Sequence, residues 1–353
     1  MKKKWLNFLK DPITKDFFEL KIDSLIGEEI ISGKLISKEH SYSIIKGVPR
    51  FIDKTFSNDL DKNKTTISFG NKWSSDLLEG YEKQRKESLK ERFLSILGVE
   101  NKEELKKVFK DNMNCLDIGC GIAWPEYLFN INKKVNRFAV DLSFSVEKAY
   151  KKTKNISNIF IGQADLFNLP FKDNFFDIIF ADGVLHHTGN TKKAFYTLSK
   201  YLKPNGLIGI YIYSQKPFLR ELADYKIREI TTEMTFKEVQ EFSEQMAKFG
   251  KSLQKFKDDL KIESDIPLLG IKKGNYNLQK FIYDYFLKCF YNKEWGDNSS
   301  IINNLDWYYP KYASHHSKKE IKSWFEENNF SGIKFIQPKG WEFSGYFVSA
   351  RKK

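Results

Sequence analysis

The chain has 353 residues, of which 41% are hydrophobic and 30% are charged, and this composition excludes disordered, collagen-like and disulfide-scaffold proteins. The length allows two domains, or one large domain that carries an insertion. The formal net charge is +13, but the lysines are dispersed and arginines are sparse, so the charge indicates a solvated surface more than a nucleic-acid-binding face.

Cysteine content and hydropathy predict the compartment. Cys115, Cys120 and Cys289 are too few and too scattered for a disulfide framework. The apolar runs are shorter than the roughly 18 residues that a membrane helix needs, and the amino-terminal residues carry charge before a signal-peptide core is built. We therefore predict a cytoplasmic protein with no membrane span.

The first half of the chain is predicted to start with a small unit and two helices. Residues 1–53 contain short apolar stretches broken by glycine and proline, which predicts a β-rich unit. Residues 54–112 are predicted as a polar linker up to about residue 76, followed by helices over 80–97 and 101–112, where apolar residues recur at helical spacing.

Strand-like and helix-like segments alternate over residues 113–353. The apolar stretches MNCLDIG, NRFAVDLS, NIFIGQAD, FFDIIFAD and GLIGIYIY predict strands separated by helices, and GIKFIQP and YFVSARK predict two final strands. This order predicts an α/β fold with a Rossmann-like, doubly wound, seven-stranded sheet. A helical and aromatic block at about 214–316 interrupts the alternation, and we interpret it as an insertion or lid. Within it, Thr235 and Glu238 are spaced as a capping box at the start of a helix.

Carboxylates end three successive predicted strands. Asp117 precedes a loop that contains Gly119 and Gly121, Asp141 follows 24 residues later, and Asp165 follows after another 24. Glycines after a strand let a ligand approach the backbone and the free amides of the next helix. Because an unpaired buried charge is costly, three such acids indicate a polar ligand, and the second is where nucleotide-binding folds hold a ribose. A turn without a ligand stays open as the alternative for the glycine loop.

The order of motifs DIGCG, VDLS, QADLFNLPF, FDIIFADGVLHH and LKPNG, over residues 113–213, resembles class I S-adenosylmethionine-dependent methyltransferases. The resemblance implies S-adenosylmethionine as the cofactor. It implies that the ammonium lies near Asp117, the methionine part near Gly119 and Gly121, the ribose hydroxyls at Asp141 and the adenine beside Asp165 and Leu166. Leu142 and Asp182 complete the predicted cofactor contacts. Ala123 stands where many members of the family carry a third glycine.

Two histidines follow the fourth strand, which in this fold is nearest the transferred methyl group. A base is needed only when the nucleophile carries a proton that it does not lose unaided. Histidine suits proton removal at neutral pH, so we predict His187 as the catalytic base, ahead of His186. A structural role, in which one of the histidines caps a helix or binds a carbonyl, stays open.

The leading unit resembles the small zinc-binding partner domain of transfer-RNA and protein methyltransferases, on the order LKDPIT, ISGKLISKEHSYSI and GVPRFI. That domain holds zinc with two C-x-x-C pairs, and here the equivalent positions are Asp11, Thr14, Ser37 and His40. A zinc site of this kind uses thiolates, which this set lacks. We therefore predict a metal-free unit that packs on the catalytic domain.

The predicted function is methyl transfer to an O, N or C nucleophile of a small or medium metabolite, such as a sugar, a lipid precursor or a secondary metabolite. The insertion should decide the substrate, and Asp306, His315 or His316 is a candidate to reach the site when a lid closes. A Pro-Pro-aromatic tetrapeptide is absent after strand four, which disfavours methylation of base amines. A transfer-RNA-modifying enzyme and a non-catalytic scaffold stay open as alternatives.

Overall fold

A computed structural model describes residues 1–52, 59–129, 131–337 and 343–353. The strands are β1 (Glu19–Ile26), β2 (Glu29–Ile36), β3 (Ser41–Ile45), β4 (Val48–Phe51), β5 (Asn114–Ile118), β6 (Asn136–Asp141), β7 (Ile159–Ala164), β8 (Phe176–Asp182), β9 (Leu202–Tyr213), β10 (Leu260–Ile262), β11 (Gly274–Tyr276), β12 (Phe330–Ile336) and β13 (Gly345–Lys352). The helices are α1 (Leu60–Ser74), α2 (Tyr81–Gln84), α3 (Lys86–Leu97), α4 (Lys102–Val108), α5 (Trp124–Leu128), α6 (Val146–Thr153), α7 (Thr191–Tyr201), α8 (Phe218–Thr231), α9 (Phe236–Leu253), α10 (Leu278–Tyr285), α11 (Gly296–Tyr308) and α12 (Lys318–Glu327). Short 3-10 turns are Lys3–Phe8, Asp76–Leu78, Leu185–His187 and Pro267–Leu269.

The predicted seven-stranded sheet is confirmed as the central part of a larger sheet. Its strands are ordered β7-β6-β5-β8-β9-β13-β12. The strands β5 to β9 run parallel, whereas β13 is antiparallel to both β9 and β12. The strand order reverses between β5 and β8, which is the point where open α/β sheets bind their ligands.

The amino-terminal β-rich region continues this sheet. Strands β1 to β4 form an antiparallel meander, and β4 then runs parallel to β7, so that Arg50 and Phe51 pair with Gln163 and Ala164. Trp5 is buried in the same core, with its ring 5.2 Å from that of Phe138. Residues 1–52 therefore share one sheet and one core with the strands that follow residue 113. The predicted boundary between residues 53 and 54 lies outside the described residues.

The four positions that correspond to the zinc ligands of the resembled domain meet in space. The carboxylate of Asp11 is fully buried and accepts hydrogen bonds from the backbone amide of Thr14, the hydroxyl of Ser37 and Nδ1 of His40. These bonds lower the pKa of Asp11 against the opposing effect of burial. The side chains of Asp11, Ser37 and His40 and the backbone amide of Thr14 thus form a hydrogen-bonded cluster. In the described part of the chain, no group of three or more His, Cys, Asp or Glu is placed to hold a metal ion.

Helix α1 occupies the segment predicted as a linker. Its buried residues are small or polar, namely Thr65, Ser68, Gly70 and Lys72. The helix covers a polar cavity, so it needs no apolar stripe, and its sequence lacks the periodicity on which the prediction relied. The linker prediction therefore does not hold for residues 60–74.

The helix predicted over 80–97 is divided into α2 and α3 at Arg85, whose side chain is buried against the ring of Trp295 at 4.0 Å. The helix predicted over 101–112 is the shorter α4. It ends at Val108, and Asn112 then adopts positive φ, a conformation that does not continue a helix.

The segment between β9 and α12 is mostly helical, as predicted, and also contains the β10–β11 hairpin. Thr235 and Glu238 form the predicted capping box at the start of α9. Aromatic side chains join the helices: the rings of Phe242 and Tyr308 lie 5.1 Å apart. Within the described residues, none of the helices combines the length and the apolar character required to cross a bilayer.

Candidate active site

A cavity of about 680 Å³ lies at the carboxyl ends of the parallel strands, between the sheet, α1 and the insertion. Its volume is in the range of small-molecule sites, roughly 300 to 1,000 Å³. Most of the residues predicted from the sequence line it: Asp117, Gly119, Asp141, Leu142, Asp165, Leu166, Asp182 and His187. Two predicted residues, Gly121 and His186, are not part of the wall.

Asp117 is a buried acid that has an unsatisfied oxygen. Asp117 is the penultimate residue of β5, and its side chain is 3% exposed. Its Oδ2 has no hydrogen-bond partner among the described residues. Burial raises the pKa of this carboxyl well above its ordinary value, and the nearby carboxylates of Glu126, Asp182 and Asp141 raise it further. The site therefore favours a positively charged group beside Asp117.

The loop after β5 needs its two glycines. Both have positive φ, +67° at Gly119 and +54° at Gly121. A Cβ atom would lie 2.3 Å from a methyl group of Val184 at the first position and 2.7 Å from the ring of Trp73 at the second. Backbone conformation and close packing thus both exclude a larger residue.

Asp141 is fixed by the same loop. Its Oδ2 accepts a hydrogen bond from the amide of Gly121 at 2.8 Å, and its Oδ1 accepts one from the amide of Ser143 at 2.7 Å. Burial raises the pKa of Asp141, although these amides oppose the shift. Each carboxylate oxygen can accept a second hydrogen bond, so the aligned side chain remains able to bind hydroxyls.

The other two acids are held by cations from the preceding helices. Asp165 forms an ion pair with Lys62 of α1. Asp182 accepts hydrogen bonds from Arg92 of α3, including two of 2.7 Å from Nε. The guanidinium of Arg92 also lies 4.0 Å from the ring centroid of Tyr211. Direct contact of Asp165 and Asp182 with a cofactor stays a prediction.

His187 lines the cavity in its neutral form. Its Nδ1 donates a hydrogen bond to the carbonyl of Tyr312 at 2.5 Å, and the edge of the Phe69 ring packs against the imidazole at 4.8 Å. Burial lowers the pKa of His187 to about 4. The bond to Tyr312 places the ring proton on Nδ1 and leaves the lone pair on Nε2, which is the arrangement of a general base.

The remaining predicted histidines lie elsewhere. His186 is fully buried and stacks on Tyr213 at 3.8 Å, and its ring nitrogens have no partner among the described residues. His315 binds Glu221 at 2.8 Å, and His316 bonds to Glu320 and Thr191. None of the three is part of the cavity wall. Asp306 is part of it and forms an ion pair with Lys72 of α1 at 2.6 Å.

Sequence reasoning missed the contribution of α1 and of cations in the insertion. The α1 residues that line the cavity recur at intervals of three or four, which is a signal of one helical face: Lys62, Thr65, Thr66, Phe69, Lys72 and Trp73. The insertion adds Lys216, Arg220 and Lys288. Lys288 is far from Lys216 and Arg220 in the sequence, so no local motif indicates that the three meet.

Residues 116–210 match a family model described as a methyltransferase domain. The match begins in β5 and ends in β9, and it includes every cofactor contact predicted above. Residues 116–210 therefore form a methyltransferase domain.

Three curated relatives illustrate how far the likeness extends. An uncharacterized protein of Methanocaldococcus jannaschii is 28% identical over 46% of the chain and 68% of its own length. Phosphoethanolamine N-methyltransferase 1 of Arabidopsis thaliana is 30% identical over 38% of the chain and 28% of its own length. Demethylmenaquinone methyltransferase of Staphylococcus saprophyticus is 30% identical over 33% and 54%, respectively. The chain therefore matches about half or less of the two named enzymes.

The residues of the cavity fit S-adenosylmethionine. The unsatisfied oxygen of buried Asp117 suits the ammonium of the methionine part, and Gly119 lines the same cavity. Asp141, aligned by two amides, suits the two ribose hydroxyls. The carboxylates at the strand ends therefore match the ammonium and the hydroxyl groups of the cofactor.

Proposed function

We propose that the protein transfers the methyl group of S-adenosylmethionine to an O, N or C nucleophile of a small or medium metabolite. One observation carries the proposal: a single cavity connects the carboxylates at the strand ends with His187 and with the helical insertion. Cofactor and acceptor can therefore meet in one enclosed space.

The residues at the strand ends would bind and orient the cofactor. Asp117 would hold the ammonium of the cofactor, Asp141 its ribose, and Leu166 would border its adenine. When bound, S-adenosylmethionine supplies a methyl group on a positively charged sulfonium. Alignment of two reactants can lower a barrier by about 7 to 11 kcal/mol, so positioning is the main task of these residues.

His187 would remove a proton from the acceptor. Its Nε2 carries the lone pair and the ring lines the cavity, while Tyr312 and Phe69 fix its orientation. Such a base contributes about 10² to 10⁴-fold when the nucleophile carries a proton that must leave. An acceptor that loses its proton unaided would use the same site without this step.

The size of the cavity supports a metabolite acceptor. About 680 Å³ is shared by cofactor and acceptor, and helices α1, α8, α10 and α11 contribute to the walls. The two named relatives are enzymes for phosphoethanolamine and demethylmenaquinone. A transfer-RNA acceptor would need an exposed cationic surface that leads to the site, and it is the alternative to be tested.

The proposal is tested by incubating the full chain with labelled S-adenosylmethionine and, separately, the small molecules, RNA and proteins of the same cells. We expect label in the small-molecule fraction, and much less of it with the Asp141→Ala variant at a limiting concentration of S-adenosylmethionine. Transfer should change little as the salt concentration rises, because phosphate tracking is what makes nucleic-acid binding salt-dependent. Label in RNA that falls steeply with salt would contradict the proposal.

A further inference from the structure

The insertion places three cations around one tryptophan. The side-chain charges of Lys216, Arg220 and Lys288 lie 5.2, 5.3 and 5.0 Å from the ring centroid of Trp307. We call these three residues the cationic wall. All three line the cavity and are at least nine-tenths buried, with exposed fractions of 8%, 2% and 7%. Such burial is rare for lysine and arginine unless the charge has a partner.

Two members of the cationic wall have protein partners. Arg220 forms an ion pair with Asp224 at 2.5 Å and donates to the carbonyl of Tyr283. Lys216 donates to the carbonyls of Phe343 and Ser344, which are neutral groups. The charge of Arg220 is therefore compensated, whereas Lys216 is hydrogen-bonded without an opposite charge.

Lys288 has neither kind of partner. No hydrogen bond or ion pair joins its ammonium to the described residues, and its neighbours are the faces of Tyr283, Phe290 and Trp307. The acids in the region already serve other cations, because Asp224 binds Arg220 and Asp306 binds Lys72. Burial, together with repulsion from Arg220, lowers the pKa of Lys288 to about 7.

A buried lysine without an opposite charge is destabilising in its charged form, and an anionic ligand in the cavity would compensate the charge at Lys288 and Lys216. We infer that the methyl acceptor carries an anionic oxygen group, a phosphate or a carboxylate, which Lys288 and Lys216 bind against the indole of Trp307. This inference rests on the proposed function. Anionic oxygens form charge-assisted bonds with ammonium groups, and these are stronger than bonds between neutral groups.

The arrangement also places the reacting end of the acceptor. The ring of Tyr213 lies near both the cationic wall and the predicted base, 5.1 Å from the ring of Trp307 and 5.5 Å from that of His187. An acceptor whose anion is held at Trp307 would extend past Tyr213 and present its nucleophile at His187. The substrate class is thus a metabolite whose anionic group and methylated atom are far enough apart to reach from Trp307 to His187.

The inference is tested by titrating the full chain, loaded with S-adenosylhomocysteine, with inorganic phosphate and, separately, with acetate in a calorimeter. We expect saturable binding of at least one anion, weakened about tenfold or more by Lys288→Met. Stronger binding of phosphate would assign a phosphate ester, and stronger binding of acetate a carboxylate. The control Lys200→Met removes an exposed lysine on α7 and should bind as the unmodified chain does. Absence of binding, or equal binding by Lys288→Met, would overturn the inference.

Two further measurements separate this inference from its alternatives. Lys288→Met should keep its affinity for S-adenosylhomocysteine, and a loss would assign Lys288 to the cofactor and overturn the inference. Without ligand, the variant should unfold at the same temperature or a higher one, because an unpaired buried charge has been removed. A lower temperature would show that the ammonium is structural, which also overturns it. If the unmodified chain bound no S-adenosylhomocysteine, the proposed function would fail, and phosphate titration of the unloaded chain would still test the cationic wall.

Discussion

The two ends of the cavity differ in charge and in how the sequence encodes them. At the cofactor end, Asp117 and Asp141 lie at the tips of neighbouring parallel strands. At the insertion end, Lys216 and Lys288 surround Trp307 on segments that are far apart in the chain. The first end suits a cation with hydroxyls, and the second suits an anion. Under the proposed function, the comparison implies that one cavity divides cofactor and acceptor recognition by charge.

The regular repeat of strand, loop and helix explains why only the cofactor end of the cavity can be recognised from sequence motifs. Each strand, loop and helix of a doubly wound sheet brings its loop to the same edge, so evenly spaced acids in the sequence are neighbours in space. The insertion has no such repeat. Its charges meet where α8 packs against α10 and α11, because Arg220 lies on α8 and Lys216 and Lys288 lie just outside α8 and α10.

The largest effect should come from the residue between the two ends. His187→Ala removes the predicted base and should slow turnover by about 100-fold, within the range of general-base catalysis. Affinity for S-adenosylhomocysteine should stay nearly unchanged, which calorimetry measures. Since burial keeps His187 neutral, turnover by the unmodified chain should not fall between about pH 7 and about pH 5 because of this group. Unaltered single-turnover rates in the variant would place the base elsewhere or make it unnecessary.

A smaller effect, a loss of affinity for S-adenosylmethionine, is expected from a substitution at the cofactor end of the cavity. Asp141→Ala loses a carboxylate aligned for hydroxyls, and charge-assisted bonds are worth about 1.5 to 3 kcal/mol each, so S-adenosylmethionine should bind at least about tenfold more weakly. The matched control is Asp177→Ala, because Asp177 pairs with Lys203 at the opposite end of β8. Equal affinities for the two variants would refute the role of Asp141.

The smallest expected effect is a change in unfolding temperature on substitution of Asp117. The folded state disfavours the charged form of this acid, so at neutral pH the unliganded chain is destabilised by it. Asp117→Asn should therefore raise the unfolding temperature of the unliganded chain by a few degrees while weakening cofactor binding. The gain should disappear below about pH 4, where this carboxyl is protonated in both the folded and the unfolded chain. A lower unfolding temperature at neutral pH would contradict this account.

The sequence predicted the sheet because its signals are local and periodic. The five parallel strands and the two last strands correspond to observed elements, and the capping box at Thr235 is confirmed. Helix α1 was missed because its buried residues are small or polar. The prediction relied on apolar residues at helical spacing, and α1 lacks that pattern. The continuation of the sheet into β4 was missed because it depends on pairing between Arg50 and Gln163, which are distant in sequence.

The candidate site follows the same rule as the sheet: residues with a local sequence signal were predictable, and contacts between distant residues were not. The glycine loop and the acids at the strand ends line the cavity, but their partners did not follow from the sequence. Arg92 reaches Asp182 and Lys62 reaches Asp165 across long separations, and such ion pairs leave no local pattern. His186 and His187 were adjacent candidates, and packing alone separates them, because one is stacked within the core on Tyr213 and the other faces the cavity.

The division of the cavity by charge is tested most directly by a crystal structure of the full chain with S-adenosylhomocysteine. We expect its amino group beside Asp117, its ribose hydroxyls on Asp141 and its sulfur directed toward His187, with the space against Lys288 and Trp307 left free for an acceptor. A cofactor product bound against Trp307, or bound away from both Asp117 and Asp141, would contradict the account.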